Sequence, residues 1–168
     1  MVEGAGVPVG TGATRHDPCA RQECDFQETC LIGSGCSQTN SNYMIHCQEC
    51  NPGIKGQSKP MGAKDRSAYL GQTGTTLHKR MRAHLGGLGS GGVLGKHMEE
   101  HHGGADKTQH TLFKMKGTKG SRTVLDRLVQ EGTCINNVET KHPHWLMNSK
   151  SEWGKGKLVR FEPTVTRI

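Results

Sequence analysis

Six cysteines crowd one stretch of this chain, Cys19, Cys24, Cys30, Cys36, Cys47 and Cys50, while the seventh, Cys134, stands alone. The first four are separated by four, five and five residues, and the last two form Cys47-Gln48-Glu49-Cys50. Knuckles of this kind present two thiolates to one tetrahedral ion. Hydrophobic residues make up 32% of the chain and aromatic residues 4%. That is a thin supply for a core, and a metal staple is the expected supplement. Met1 to Thr14 hold no basic region followed by an apolar run, and no stretch approaches the roughly 18 apolar residues that cross a bilayer. The chain is therefore expected to be intracellular, with the nucleus as its compartment and no membrane partner. Thiols stay reduced there, which points to zinc rather than disulfides. Cys134 reads as a core residue.

Four regions follow. Residues 1–18 read as a flexible leader, 19–40 as a cysteine-rich zinc module, 41–160 as the main domain and 161–168 as a tail. Within the main domain, Ser41 to His46 and Ala68 to Gly71 read as short strands joined by a Gly/Pro/Lys/Ser loop, a hairpin with the Cys47–Cys50 pair near its turn. Thr75 or Thr76 is suited to cap a helix running to about Leu85, with Leu77, Met81 and Leu85 on one face and Arg80 and His84 on a neighbouring one. A second helix is expected from about Val93 to His102, stopped by Gly103-Gly104. Leu112 to Met115 alternates like a strand. A third helix, capped by Ser121, is expected to end near Gly132, with Val124, Leu125, Leu128 and Val129 as its apolar positions. Glu131 then falls toward that apolar side.

The formal charge is +7 and the pI about 9.2, a balance that suits a polyanionic partner, since Lys and Arg displace counterions from phosphates. Tyr43, then Tyr69-Leu70-Gly71-Gln72-Thr73-Gly74, then Arg80 and His84 occur in that order. This set resembles the GIY-YIG nucleases, and more narrowly the endonuclease domain of Penelope-like retroelements. The likeness covers about residues 36–160. Cys47 and Cys50 between the tyrosine motifs, His97 and a histidine before Gly103, Phe113-Lys114-Met115, Arg127 with Glu131, and Leu146 to Lys150 match further pieces. Ser41-Asn42-Tyr43 stands in place of Gly-Ile-Tyr, the second motif reads Tyr-Leu-Gly, and Gln72 replaces a frequent Glu.

The resemblance implies an α/β fold of the α+β kind, with a small, mostly antiparallel central sheet flanked by helices. It implies a metal-dependent DNA endonuclease whose nick exposes a 3′-hydroxyl, with the reverse transcriptase of the same element as partner. Phosphodiester cleavage needs a charged clamp on the phosphate and an activated water. Arg80 offers a bidentate donor, and Glu131 a hard oxygen ligand for Mg²⁺ or Mn²⁺. Tyr43 is the expected base, Tyr69 a phosphate-positioning group, and His84 a phosphate contact or proton relay. Asn148 is expected to orient substrate or Glu131, Gly71 to let backbone approach the phosphate, and Lys79 and Arg82 to touch DNA. Two zinc ions are expected. One is held by Cys19, Cys24, Cys30 and Cys36, the other by Cys47, Cys50, His97 and His102, with His101 as the alternative to His102. Helical spacing favours His101; the family pattern and the glycines that follow favour His102. A rival grouping is a single site of Cys30, Cys36, Cys47 and Cys50. A different class of function also fits the charge and the thiols: a zinc-dependent nucleic-acid-binding module without catalysis.

Overall fold

Strand β1, Ser41–Cys47, is buried along almost its whole length, as a central strand covered on both faces must be. The computed structural model describes residues 31–32, 35–51, 61–104, 111–118 and 123–148. The leader, Cys19, Cys24, Cys30, Ser121, Lys150 and the 161–168 tail lie outside the described residues. The described elements run β1, β2 (Ala68–Thr73), α1 (Leu77–Gly86), α2 (Val93–His102), β3 (Phe113–Gly117) and α3 (Val124–Lys141). The sheet is three-stranded and antiparallel in the order β2-β1-β3, so the fold is α+β. No described helix is long and apolar enough to cross a membrane.

Alternation along β1 divides the core. Tyr43, Ile45 and Cys47 join Tyr69, Leu77, Met81, Leu94, Met98 and Phe113 on the α1–α2 side. Met44 joins Leu70, Ile135, Val138, Trp145 and Leu146 on the α3 side. The sheet therefore has α1 and α2 on one face and α3 on the other. Leu31, Ile32 and Cys36 pack into the first cluster, and the Met115 N–H donates to the Leu31 carbonyl at 2.7 Å. The described end of the cysteine-rich region is thus built into the same core as the sheet.

Thr76 caps α1 by accepting from the Lys79 N–H, and Leu77 and Met81 turn inward as their spacing requires. The third helix departs from the sequence reading. It is capped by Thr123, not Ser121, and runs through Gly132 to Lys141. Its buried positions are Arg127, Gly132, Ile135 and Val138, whereas Val124 and Leu125 are 59% and 47% exposed. A mid-helix glycine costs about 1 kcal/mol, which burial of Ile135 and Val138 outweighs at roughly 1.5–3 kcal/mol each. Cys134 is half-buried beside the α3-side cluster. Beyond α3 the chain returns to the free edge of β2, where Leu146 bridges Ala68 in parallel and the Met147 N–H donates to the Ala68 carbonyl.

Candidate functional site

Two clusters lie along the α1–α2 face of β1. The first is at the end of the strand. Cys47 closes β1, Cys50 follows in the turn, and His97 and His102 come from α2. One ligand atom from each lies within 4.8 Å of every other, a grouping able to hold a metal ion. His102 Nε2 is 3.3 Å from both the Cys47 and the Cys50 sulfur. His97 binds the Arg66 carbonyl through Nδ1 at 2.8 Å, and its Nε2 is buried with no hydrogen-bond partner. That orphaned nitrogen is what a metal ligand looks like before its ion is drawn in. His102 likewise has Glu49 on its outer nitrogen at 3.4 Å. Such partners fix which ring nitrogen is free to ligate.

The electrostatics agree. Burial, with smaller contributions from His101, His102 and Lys64, holds His97 at a pKa of about 4 against an upward pull from the Arg66 carbonyl, so its neutral ligating form prevails. Burial and the neighbouring Cys47 raise Cys50 to about 11. Two adjacent thiolates are unfavourable without a cation, and a divalent ion replaces their protons.

Of the two histidines weighed from the sequence, the chosen one, His102, belongs to this cluster. It occupies the last position of α2, just before Gly103 takes the left-handed conformation at φ 76. His101 is a ring neighbour of His97, with centroids 4.8 Å apart. The rival grouping of Cys30, Cys36, Cys47 and Cys50 includes Cys30, which lies outside the described residues; among the described residues Cys47 and Cys50 group with His97 and His102, and not with Cys36. Asn51 anchors the knuckle from behind, donating to Ser67 Oγ at 2.7 Å and accepting from the Trp145 indole at 3.1 Å.

The second cluster centres on Tyr43, four residues earlier on the same face of β1. Its hydroxyl lies 2.7 Å from Arg80 Nε and 2.8 Å from His84 Nε2. Arg80 and His84 reach it together because they are one turn apart on α1. The Tyr69 and His84 rings meet edge to face, with centroids 5.2 Å apart. Burial and then the Arg80 charge hold His84 at a pKa of about 4, leaving it neutral near pH 7. Burial weakens the Arg80 charge, but the hydrogen bond and charge of Tyr43, and then Tyr69, outweigh it, and its pKa moves up. A guanidinium N–H can only donate. Tyr43 therefore accepts from Arg80; in the tautomer that leaves the Nε2 of neutral His84 unprotonated, the Tyr43 hydroxyl donates to it.

Gly71 pairs with Tyr43 across the strands. A Cβ there would stand 2.5 Å from the Tyr43 hydroxyl, so the glycine makes room for the tyrosine, where the sequence reading gave that room to the phosphate. Asn148 is also reassigned. Its Oδ1 accepts from the Leu70 N–H at 2.9 Å and its Nδ2 donates to the Leu70 carbonyl at 2.7 Å. The amide completes the β2 edge like a missing strand, and is engaged with backbone in place of substrate. Glu131 is half-buried on α3, across the sheet from Tyr43. Lys79 and Arg82 are exposed on α1. Arg127 was not among the site residues expected, yet it is buried and ties α3 to Asn40 and Gln72. Its match to the family's third helix, one turn before Glu131, was the signal in the sequence. Comparison of the chain with family models, with curated proteins and with solved structures found no match.

Proposed function

We propose that this chain is a metal-dependent DNA endonuclease of the GIY-YIG kind, braced by zinc at Cys47, Cys50, His97 and His102. The observation that carries the reading is the Tyr43 hydroxyl held between Arg80 and His84 at 2.7 and 2.8 Å. A tyrosine that only packs needs neither a fixed cation nor a neutral histidine on its oxygen. In the proposed reaction His84 Nε2 relays the Tyr43 proton onward without keeping it, and Arg80 stabilises the phenolate that forms. The phenolate takes a proton from water as the water oxygen attacks phosphorus. The P–O3′ bond breaks, and the leaving oxygen takes the proton relayed through His84 to become a 3′-hydroxyl, while the water proton restores Tyr43. Arg80 also faces the charge that develops on the phosphate oxygens.

Glu131 supplies the carboxylate for Mg²⁺ or Mn²⁺; one carboxylate suits such an ion, which keeps most of its waters. Once bound, the ion would add positive charge beside the phosphate and the leaving oxygen. Glu131 is on α3, against the opposite face of the sheet from Tyr43, so a phosphate shared by both would have to reach around a sheet edge. Two sulfurs and two imidazoles suit zinc, and four protein ligands leave no open position, which makes that ion structural. An exposed 3′-hydroxyl would prime a reverse transcriptase of the same element.

The test is nicking of supercoiled plasmid with Mg²⁺ or Mn²⁺, parent against Tyr43→Phe. The phenylalanine keeps the ring and deletes the oxygen, so nicking should vanish while zinc content and melting temperature hold. A second reading, a binding module without catalysis, draws on the burial of Tyr43, which is 1% exposed. Plasmid binding with no nicking by the parent protein would establish it.

A further inference from the structure

Arg127 carries a charge that the rest of the fold does not answer. It is only 4% exposed, yet both of its partners are neutral amides. Its Nε–H donates to Gln72 Oε1 at 3.2 Å, and an Nη1–H donates to Asn40 Oδ1 at 3.1 Å. Among the described residues no carboxylate pairs with it, neither Asp126 beside it nor Glu131 one turn along α3. Two amides satisfy two N–H groups without neutralising the charge, and a buried cation without a counter-ion is costly. The remaining end of the guanidinium faces the turn after β2. A Cβ on Gly74 would lie 3.4 Å from Nη2, and Gly74 is itself exposed.

We infer that Arg127 and the Gly74 turn form a phosphate subsite for the backbone of a nucleic-acid strand. The inference deepens the nuclease reading and rests on it for the identity of the polymer. Nη2 meets the strand from the α3 side of the β2 end, while Arg80 meets it from the α1 side. Arg80 lies against Tyr43 on the α1–α2 face and Arg127 against Gln72 and Asn40 on the α3 side, so the two guanidinium groups engage different phosphates. The first turn of α1 beside Gly74 holds no acidic residue, and Lys79 and Arg82 are exposed further along it. A line of separate cations suits a repeating anion better than a lone carboxylate. The helix end itself is not the binder. Its Leu77, His78 and Lys79 N–H groups already donate to Gln38, Cys36 and Thr76.

Gln72→Glu tests the subsite without removing the guanidinium. The new carboxylate would neutralise Arg127 in place, and the shape of the site is unchanged. Two probes are read on the zinc-loaded chain without Mg²⁺ or Mn²⁺: binding of a short duplex across a KCl series, and the rise in melting temperature caused by inorganic phosphate. The log–log salt slope should become shallower by about 0.9, one phosphate's worth. Affinity at low salt should fall severalfold, and the phosphate-induced rise should disappear, while the variant without phosphate melts at or above the parent. An unchanged slope together with an unchanged phosphate response would overturn the subsite and leave Arg127 as a tie between α3 and the strands. The nuclease reading fails separately. If phosphate stabilises the parent and not the variant, yet the parent never nicks DNA when metal is restored, the subsite stands and the catalysis falls.

Discussion

The cysteine–histidine centre and the tyrosine cluster share one face of one strand, four residues apart, and they are finished to different degrees. In the metal centre every group other than the ligating atoms is engaged: His97 Nδ1 with the Arg66 carbonyl, His102 Nδ1 with Glu49, the knuckle with Asn51, Ser67 and Trp145. In the tyrosine cluster Arg80 and His84 are half-buried, and the guanidinium presents more donors than its tyrosine partners can accept. A site whose valences close on themselves stabilises a fold; a site with valences left over meets something else. The pair on β1 thus differs in the number of groups left unspent.

The largest effect should come from breaking the closed site. Structural zinc contributes on the order of 10 kcal/mol in small domains. On the proposed zinc site, His97→Ala should therefore lower the zinc content of the purified chain and abolish cooperative melting, with the proposed nicking lost as a consequence. Metal analysis of the parent and the variant, paired with thermal denaturation, measures this. A His97→Ala chain that keeps its full zinc content would refute the four-ligand centre. The open site should break differently. Arg80→Ala removes a donor to developing charge, worth about 10²–10³ in rate. Glu131→Ala removes the proposed metal anchor. Both should lose nicking with melting temperature and zinc content held, and parental nicking by Glu131→Ala would remove that carboxylate from the mechanism.

Gly71→Ala sharpens the contrast from the steric side. The added methyl meets the Tyr43 oxygen at 2.5 Å and the Tyr69 ring at 2.9 Å. Overpacking of that kind costs about 1–3 kcal/mol. Melting temperature should drop by several degrees and nicking by more than the stability loss explains, since the tyrosine must leave Arg80 and His84. The smallest effect concerns His46, which lies near both sites and belongs to neither. Burial and then Lys114 and Lys116 hold it at a pKa of about 4, below its usual 6.5. A lowered histidine pKa means that the unfolded chain binds the proton more readily, so the neutral form's contribution is complete above pH 6.5 and is lost as pH falls toward 4. His46→Gln should flatten the decline in stability between those two values, read by denaturant melts at several pH values. An identical decline in parent and variant would place the acid sensitivity elsewhere.

How much of this could be read in the sequence depends on distance along the chain. The β1 and β2 hairpin, the α1 face and the Cys47–Cys50 turn arise from spacings of a few residues, and they came through. His101 competed with His102 because an ideal helix favours a four-residue step; the structure ends α2 at His102, where Gly103 turns left-handed. The α3 face was misread because a buried arginine occupies a place where an apolar residue is sought. Arg127 is buried through partners 55 and 87 residues away, which no local period encodes. Asn148 looked like a chemical group because an amide at the end of a motif suggests one, while its true partner is backbone 78 residues earlier. Which face of the sheet Glu131 occupies is a property of topology, invisible in its own neighbourhood.

The amide of Asn148 also dictates an order of events during synthesis. Leu70 can acquire the partner for its N–H and carbonyl only when the chain has been made as far as Asn148. Closing so long a loop is slow compared with forming a hairpin. Until then β2 has one side matched by β1 and the other bare, the kind of edge on which a second nascent chain can lay a strand. That wait falls on the strand that carries Tyr69 and Gly71. Expression conditions that slow association of nascent chains, such as low temperature or a low rate of initiation, should therefore raise the soluble yield more than added zinc alone.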